Sequence, residues 1–224
     1  MTHDLSSLTN RLKYDFKNQA LLNLALTHRS AGSRNNERLE FLGDAILGQV
    51  IAVALFDMFP AATEGELSRM RASLVKGETL AELSNEINLG DYLILGSGEL
   101  KSGGFRRRSI LADAFEAIIG AVYLDSNLET AKNYILYFMN PRLNKCSPET
   151  TAKDPKTRLQ EYLQQQGLSL PEYTIKSTTG SAHEQEFEVE CHVKLINEQI
   201  IGIGHSRRKA EQDAASKVLE ILVR

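Results

Sequence analysis

The sequence predicts an all-α domain followed by a smaller α+β domain with the element order α-β-β-β-α. Two observations lead to this fold class. Up to about Arg142 the apolar residues recur at helical spacing, whereas after a polar stretch the pattern changes to helix, strands and helix. The length of 224 residues is enough for two modest domains. We therefore expect domains at residues 1–143 and 154–224, joined by a linker at residues 144–153.

Six helices are expected in the first domain, because its apolar residues repeat at intervals of three and four and glycines punctuate the pattern. The expected ranges are Leu5–Lys13, Asn18–Leu26, Glu37–Met58, Glu66–Asn88, Ser109–Leu124 and Leu128–Asn140. The following stretch, residues 144–155, is polar, contains two prolines and has little to bury. That composition is typical of a linker.

A three-stranded sheet is expected in the second domain. Its middle strand is the clearest, because Phe187, Val189 and Cys191 alternate with glutamates. This alternation predicts one buried face and one acidic, solvated face. The flanking strands and helices are expected at Tyr173–Thr178, Ile200–Gly204, Lys156–Gln166 and Ser206–Val223.

Composition and charge limit the classes of partner. The formal net charge is -3 and neither half of the chain is basic overall, so any polyanion must bind at a local patch. Two such patches exist, at residues 106–108 and 207–209. No GxxxxGK[ST] loop is present, so no nucleotide cofactor is expected.

The sequence also favours a cytoplasmic protein without a membrane partner. The longest apolar stretch, Ala45–Phe56, is short for a bilayer and the N-terminus lacks the pattern of a signal peptide. The two cysteines, Cys146 and Cys191, have neither zinc-site spacing nor the pattern of a disulfide framework. A reducing compartment fits this cysteine usage.

A first group of acids lies on one predicted helix. Glu37, Glu40 and Asp44 stand at i, i+3 and i+7, which places them on one side of the helix. They could form a solvated acidic face. Phe41 and Gly48 lie beside them, however, and an acidic stripe next to apolar residues favours a cleft or an interface.

A second pair of acids lies on a helix that is otherwise apolar. Between Ile110 and Leu124 only Asp113 and Glu116 are charged, and a helix that is apolar all round is buried. Buried carboxylates require cations, which could be nearby Arg or Lys side chains or a divalent metal. Four carboxylates from two helices would suit Mg²⁺ or Mn²⁺, and such sites commonly catalyse reactions at phosphate. The four are Glu40, Asp44, Asp113 and Glu116.

The start of the last helix predicts an anion site. Ser206 is a good N-cap and is followed by Arg207, Arg208 and Lys209. A helix N-terminus ordinarily prefers acidic residues, so three cations there favour a bound polyanion. Because the outer face of the sheet is acidic, the polymer should contact helices and loops, as in shape-dependent recognition of double-stranded RNA.

Three ordered motifs resemble the bacterial ribonuclease III family over essentially the full chain. They are NERLEFLGD at residues 36–44, GELKSGGFRRRSILADAFEAIIGAVYLD at residues 98–125, and the pattern DPKTRLQEYLQ…GSAHEQEF…SRRKAEQDAA of a double-stranded RNA-binding domain. The resemblance implies an all-α endonuclease domain joined to that RNA-binding domain. It also implies a homodimer that cleaves double-stranded RNA and uses Mg²⁺, with Mn²⁺ able to substitute.

The resemblance extends to the products, the roles and the site residues. It implies 5′-phosphate and 3′-hydroxyl ends with short 3′ overhangs, and processing of ribosomal RNA precursors, messenger RNA and small RNA. The positions that match the metal ligands are Glu40, Asp44, Asp113 and Glu116. Those that match catalytic acids are Asp44, Glu116, Glu37 and Glu64. Those that match RNA contacts are Thr157, Gln160, Gln164, His183, Ser206, Arg207, Arg208 and Lys209.

Two other functions stay open at this point. A duplex-RNA-binding regulator would use the helical domain only to dimerise and would leave the acids idle. A phosphohydrolase of small molecules would leave the second domain unexplained. One residue is also open, because His28 could contact a phosphate or be a hydrogen-bonded structural histidine.

Overall fold

The chain folds into two compact units. The structure is a computed structural model that describes residues 5–151, 153–180, 185–196 and 198–222. The units are Met1–Thr151 and Ala152–Arg224. The division falls within the polar stretch that the sequence predicts as a linker.

The first unit is helical throughout, which confirms the predicted class. Its helices are α1 (Leu5–Leu12), α2 (Gln19–Leu26), α3 (Glu37–Met58), α4 (Glu64–Val75), α5 (Gly77–Glu86), α6 (Ser97–Lys101), α7 (Arg108–Asp125) and α8 (Leu128–Leu143). Short 3₁₀ turns lie at Arg29–Ala31, Leu89–Tyr92 and Gly104–Arg106.

The single helix expected at Glu66–Asn88 is wrong, because the structure divides this range into α4 and α5. Lys76 separates them with an extended backbone at φ -63° and ψ 147°. The Thr79 hydroxyl donates to the Ser73 carbonyl at 3.0 Å across the break. The apolar periodicity continues through both helices, so periodicity alone did not reveal the turn.

The start of α4 is set by a capping box at Thr63. Its hydroxyl accepts a hydrogen bond from the Glu66 backbone N–H, and the Glu66 carboxylate accepts from the Thr63 backbone N–H at 2.7 Å. This reciprocal pair satisfies two backbone donors that a helix start leaves without partners. The helix therefore begins at Glu64, two residues before the predicted start.

Helix α7 is the centre of the first core. Eleven of its 18 residues are buried, and it packs against α2, α3, α5 and α8. This burial confirms the prediction made from the sequence, since a helix that is apolar nearly all round is expected to be buried. Because other helices surround α7, only a small part of its surface faces solvent. This limits where Asp113 and Glu116 can reach solvent.

The second unit has the predicted order α-β-β-β-α. Its elements are α9 (Pro155–Gln165), β1 (Glu172–Thr179), β2 (Glu186–His192), β3 (Ile200–Gly204) and α10 (Arg207–Leu222). The strands form one antiparallel sheet in the order β1-β2-β3, and α9 and α10 pack together over a small core. In β2, Val189 and Cys191 are buried and Glu186 is exposed, as the alternation predicts. The acidic face is less solvated than expected, because Glu188 and Glu190 are half-buried and contact Ser177 and Lys176 of β1.

Within the described residues, α3 is long and apolar enough by length and composition to cross a membrane. The full helix is longer than the apolar stretch Ala45–Phe56, so length does not exclude a span. The finding is weak, since the core helix of a soluble protein passes the same test. In α3 seven residues are buried within the protein.

Candidate functional site

Two glycines bring the acid-bearing helices α3 and α7 into close contact. A Cβ atom on Gly43 would lie 1.8 Å from the Glu116 carbonyl oxygen, and one on Gly120 would lie 2.3 Å from the Leu39 carbonyl oxygen. Any larger residue at either position would force the helices apart. Apolar periodicity does not reveal the role of these two residues, although a glycine inside a helical pattern is a known signal of close packing.

Three carboxylates from the two helices meet at this crossing. Oxygen atoms of Glu40, Asp113 and Glu116 all lie within 4.8 Å of one another. We call these three residues the acid cluster. Asp44 is exposed and is not in this group, although its charge raises the pKa of both Glu40 and Glu116. The structure thus brings together three of the four predicted ligands and places the fourth beside them.

The acid cluster carries negative charge that the protein does not neutralise. Burial, followed by the charges of Asp44, Asp113 and Glu40, raises the pKa of Glu116 to about 8. The pKa of Glu40 is raised by burial and then mainly by the charge of Asp113. Such shifts arise when desolvated like charges share a site.

Arg29 acts on the acid cluster electrostatically but forms no ion pair with it. Burial raises the pKa of Asp113, and its electrostatic interactions with His28 and Arg29 oppose that rise. Among the residues that the structure describes, no ion pair is formed by Glu40, Asp113 or Glu116. The alternative of structural Arg or Lys partners therefore lacks support. The oxygen-only donor set instead fits a hard divalent cation.

The other two predicted catalytic acids lie in different surroundings. Glu37 is exposed, and its carboxylate lies 3.6 Å from Arg29. Glu64 accepts a hydrogen bond from the Ser68 hydroxyl at 2.7 Å and lines an open cavity of about 510 Å³ with Phe56 and Arg71. Within the part of the chain that the structure describes, Glu64 is not a member of the acid cluster.

His28 is a structural residue that also lies near the acid cluster. It is buried, and its Nδ1 accepts a hydrogen bond from the Ser30 backbone N–H at 3.2 Å. The Ser30 hydroxyl in turn accepts from the Gly96 backbone N–H at 2.9 Å. These bonds join the turn after α2 to the loop before α6. The buried Asn36 similarly donates to the Ala25 carbonyl and fixes the start of α3.

In the second unit, the predicted contacts of α9 share one exposed side. Thr157, Gln160 and Gln164 are all exposed, and their i, i+3 and i+7 spacing places them in a row. Asp154 caps the helix by accepting from the Thr157 backbone N–H at 2.9 Å. His183, the remaining predicted contact from a loop, lies outside the described residues.

The start of α10 has the predicted features of an anion site. The Ser206 hydroxyl accepts a hydrogen bond from the Lys209 backbone N–H at 3.2 Å, which is the expected capping contact. Arg207, Arg208 and Lys209 are exposed. The N-termini of α9 and α10 adjoin, because the Gln212 side chain donates to Asp154 at 2.8 Å.

A nearly buried carboxylate, which the sequence analysis missed, lies beneath these cations. Glu211 contacts Arg207 Nε at 2.9 Å through Oε1 and Lys156 Nζ at 2.6 Å through Oε2. Burial alone raises the pKa of Glu211, but the hydrogen bonds and charges of Lys156 and Arg207 lower it overall. The i, i+4 spacing of Arg207 and Glu211 is the signal that could have identified this pair.

The other basic patch is partly neutralised by acids of its own unit. Arg107 pairs with Glu99 at 2.8 Å and Arg108 pairs with Glu78 at 3.2 Å. Arg106 instead lies over the Phe105 ring, with its guanidinium carbon 5.0 Å from the ring centroid. Arg107 therefore ties the start of α7 to α6, and Arg108 ties it to α5.

Two family models match the chain. A ribonuclease-III-like model matches residues 18–143, and a double-stranded RNA binding motif matches residues 155–222. The first contains the acid cluster and the second contains the basic start of α10. Together they cover both units.

Named relatives are similar over nearly the whole chain. Ribonuclease 3 of Vibrio cholerae is 60% identical over 222 residues, which cover 99% of each protein. Ribonuclease 3 of Nitrosococcus oceani is 57% identical and covers 100% of this chain and 97% of its own. Among solved structures, the nuclease domain of ribonuclease III from Campylobacter jejuni is 42% identical, with a TM-score of 0.62. It covers 65% of this chain and 99% of that domain.

Proposed function

The chain belongs to the ribonuclease III family, and from this premise we propose that it is a metal-dependent endoribonuclease that cleaves double-stranded RNA. The observation that carries the proposal is the acid cluster. Its three carboxyl groups are half-buried, lie within 4.8 Å of one another and form no ion pair among the described residues. A nuclease metal site explains this arrangement, because a divalent cation would supply the missing positive charge.

We propose Mg²⁺ as the cation, with Mn²⁺ able to substitute. Glu40, Asp113 and Glu116 would hold it, and Asp44 is placed to join them from the exposed side. When bound, the cation would stabilise charge on the phosphate and make water a better nucleophile near neutral pH.

The fold positions the carboxylates of the site before a cation binds. The close crossing of α3 and α7 fixes the carboxylates in place, and partial burial limits their access to water. Burial and the neighbouring acids raise the pKa of Glu116 to about 8, which favours its protonated form near neutral pH, so binding of a cation would release this proton. Glu37 and Glu64 are proposed as further acids of cleavage, as the family resemblance implies.

The second unit would hold the duplex. The row of Thr157, Gln160 and Gln164 suits contacts to a minor groove, and Arg207 to Lys209 suit phosphates of the adjoining major groove. His183 stays a prediction for the second minor groove. Recognition by shape agrees with the double-stranded RNA binding motif that matches this unit.

We also propose that the protein is a homodimer and that a second copy covers one side of α3. Phe41 and Phe56 are 80% and 69% exposed, and with Val53 they form an apolar surface. By helical spacing this surface adjoins the side that carries Asp44. One related structure, a Campylobacter jejuni nuclease domain that is 45% identical with a TM-score of 0.61, is described as having a region involved in dimer formation. Two copies would supply two cleavage sites to one duplex.

The remaining parts of the proposal concern products and place in the cell. Cleavage would leave 5′-phosphate and 3′-hydroxyl ends with short 3′ overhangs. The substrates would be ribosomal RNA precursors, messenger RNA and small RNA. Cytoplasmic location also stays a proposal, supported by the two free cysteines, Cys146 and Cys191.

One experiment separates this function from the two alternatives. The full chain is incubated with long duplex RNA in Mg²⁺ and, in parallel, in EDTA. We expect short duplex products with Mg²⁺ and intact, bound RNA in EDTA. Binding without cleavage in Mg²⁺ would favour a regulator, and absence of binding with hydrolysis of small phosphate esters would favour a phosphohydrolase.

A further inference from the structure

The end of the second unit that is proposed to bind RNA contains an acidic side chain among its cationic ones. Glu211 lies one turn behind Arg207 on α10 and is only 8% exposed. A negative charge near a phosphate-binding surface should weaken the attraction for RNA. Any favourable effect of Glu211 on RNA binding must therefore act through the cationic side chains that it contacts.

The two oxygens of the Glu211 carboxylate hold two cations from different helices. Oε1 accepts from Arg207 Nε at 2.9 Å, and Oε2 accepts from Lys156 Nζ at 2.6 Å. Lys156 also lies over the Tyr173 ring at 4.4 Å from its centroid. The carboxylate thus joins α9 to α10, and Lys156 extends the contact to β1 through Tyr173. The three charged groups together carry one net positive charge.

The contact with Arg207 uses the guanidinium in a particular way. Within the described part of the chain, Glu211 engages Nε, and both Nη groups stay available while the side chain is 61% exposed. A guanidinium held through Nε has a fixed plane, and its Nη atoms can donate to two oxygens of a phosphate. Holding the side chain in place before binding lowers the entropy that ordering it would otherwise cost.

We propose that Glu211 is a positioning residue for RNA binding, which orients Arg207 toward the phosphates through Nε while Lys156 holds its second oxygen. This inference rests on the proposed binding of duplex RNA. It makes an unusual prediction, because removing a negative charge from the binding surface should weaken the binding of a polyanion.

The test measures binding of the full chain in EDTA to a labelled RNA duplex of about 30 base pairs, longer than the ~16 that such a domain covers. We expect Glu211→Gln to weaken binding about tenfold and to lower the slope of log K against log salt by about 0.9, as if one phosphate contact were lost. In cleavage assays KM should rise while kcat is unchanged. The matched control is Glu220→Gln, which removes the same charge from the exposed far end of α10 and should not weaken binding.

A double-mutant cycle separates positioning from general stability. If Glu211 acts through Arg207, the variant with both Arg207→Ala and Glu211→Gln should bind like Arg207→Ala alone. A folded Glu211→Gln variant that binds as tightly as the unsubstituted protein, or more tightly, would overturn the inference. So would additive losses in the double variant.

A second variant keeps the inference testable even where Glu211→Gln fails to fold. Arg207→Lys retains the charge but has no Nε, so it should lose nearly as much affinity as Arg207→Ala. Full affinity of Arg207→Lys would contradict the positioning role. If the unsubstituted protein does not bind duplex RNA at all, the proposed function fails instead, and the two failures are thereby distinguished.

Discussion

The acid cluster of the first unit and Glu211 of the second both contain desolvated carboxyl groups. They differ in whether the protein supplies a cationic partner. Both place carboxylates in partly or largely desolvated positions. In the acid cluster, burial and neighbouring acids raise the pKa of Glu116 to about 8. At Glu211, Lys156 and Arg207 overcome burial and lower the pKa. A carboxylate that the protein pairs with its own cations can orient those cations, whereas carboxyl groups left without an ion pair are suited to an external cation.

Removal of one acid of the cluster should have the largest effect. Glu116→Gln removes a charged metal ligand while it keeps the shape of the side chain, so we expect cleavage of duplex RNA to fall by about 10³-fold or more. Binding of the same RNA in a filter or fluorescence assay should stay within about twofold, because the proposed RNA contacts are elsewhere. Normal cleavage by this variant would show that the metal site lies at other residues.

The glycine crossing that forms the acid cluster offers a second test. Gly43→Ala should lower the free energy of unfolding by about 2–4 kcal/mol and reduce cleavage, because its methyl group would meet the Glu116 backbone. Gly98→Ala, in the short helix α6, is the control. Its Cβ would meet nothing within 4 Å, so stability in urea titrations should be unchanged or higher. Equal stability of the two variants would mean that the close crossing is not required.

The basic end of α10 should respond in binding and not in chemistry. Arg208→Ala combined with Lys209→Ala should weaken duplex binding about 10- to 100-fold and lower the salt slope by about 2. The rate of cleavage at saturating RNA should be unchanged. A salt slope equal to that of the unsubstituted protein would place the phosphate contacts at other residues.

The two kinds of carboxylate should also respond oppositely to neutralisation. In EDTA near pH 7, Glu116→Gln should raise the melting temperature and Glu211→Gln should lower it, each by a few degrees, since about 1 kcal/mol corresponds to roughly 2–4 °C at this size. The first substitution removes an unpaired desolvated acid, and the second leaves Lys156 without its partner. If both substitutions shifted the melting temperature in the same direction, the proposed difference between the two sites would be wrong.

The pH dependence of stability should distinguish the sites as well. Because the folded-state pKa of Glu116 is about 8, above its ordinary value of 4.5, the folded protein binds the extra proton between those values. Stability in EDTA should therefore decrease as pH rises from about 5 to 8, and Glu116→Gln should reduce this decrease. The contribution of Glu211, whose pKa is lowered, should be lost only as pH falls below 4.5 toward its folded-state pKa. Urea titrations at several pH values measure both effects.

Residue spacing and three motifs were enough to predict the fold class, the acidic and basic site residues, and the resemblance to a family. Apolar spacing located α3 and α7, and strand alternation located β2. Asp113 and Glu116 were identifiable because no other charged residue lies between Ile110 and Leu124. These features are local, since a helix or strand shows its buried side through the period of its own residues. The break at Lys76 was missed because the apolar period continues through it.

Which acids lie close together depends on the three-dimensional fold. It brought Glu40 to Asp113 and Glu116, left Asp44 at the exposed edge, and joined Glu211 to Lys156 across two helices. These pairings depend on where helices cross, and the crossing depends on the absence of side chains at Gly43 and Gly120. The spacing of apolar residues within one helix gives no distance to another helix. The sequence alone therefore could not distinguish the carboxylate that is paired with cations from those that are not.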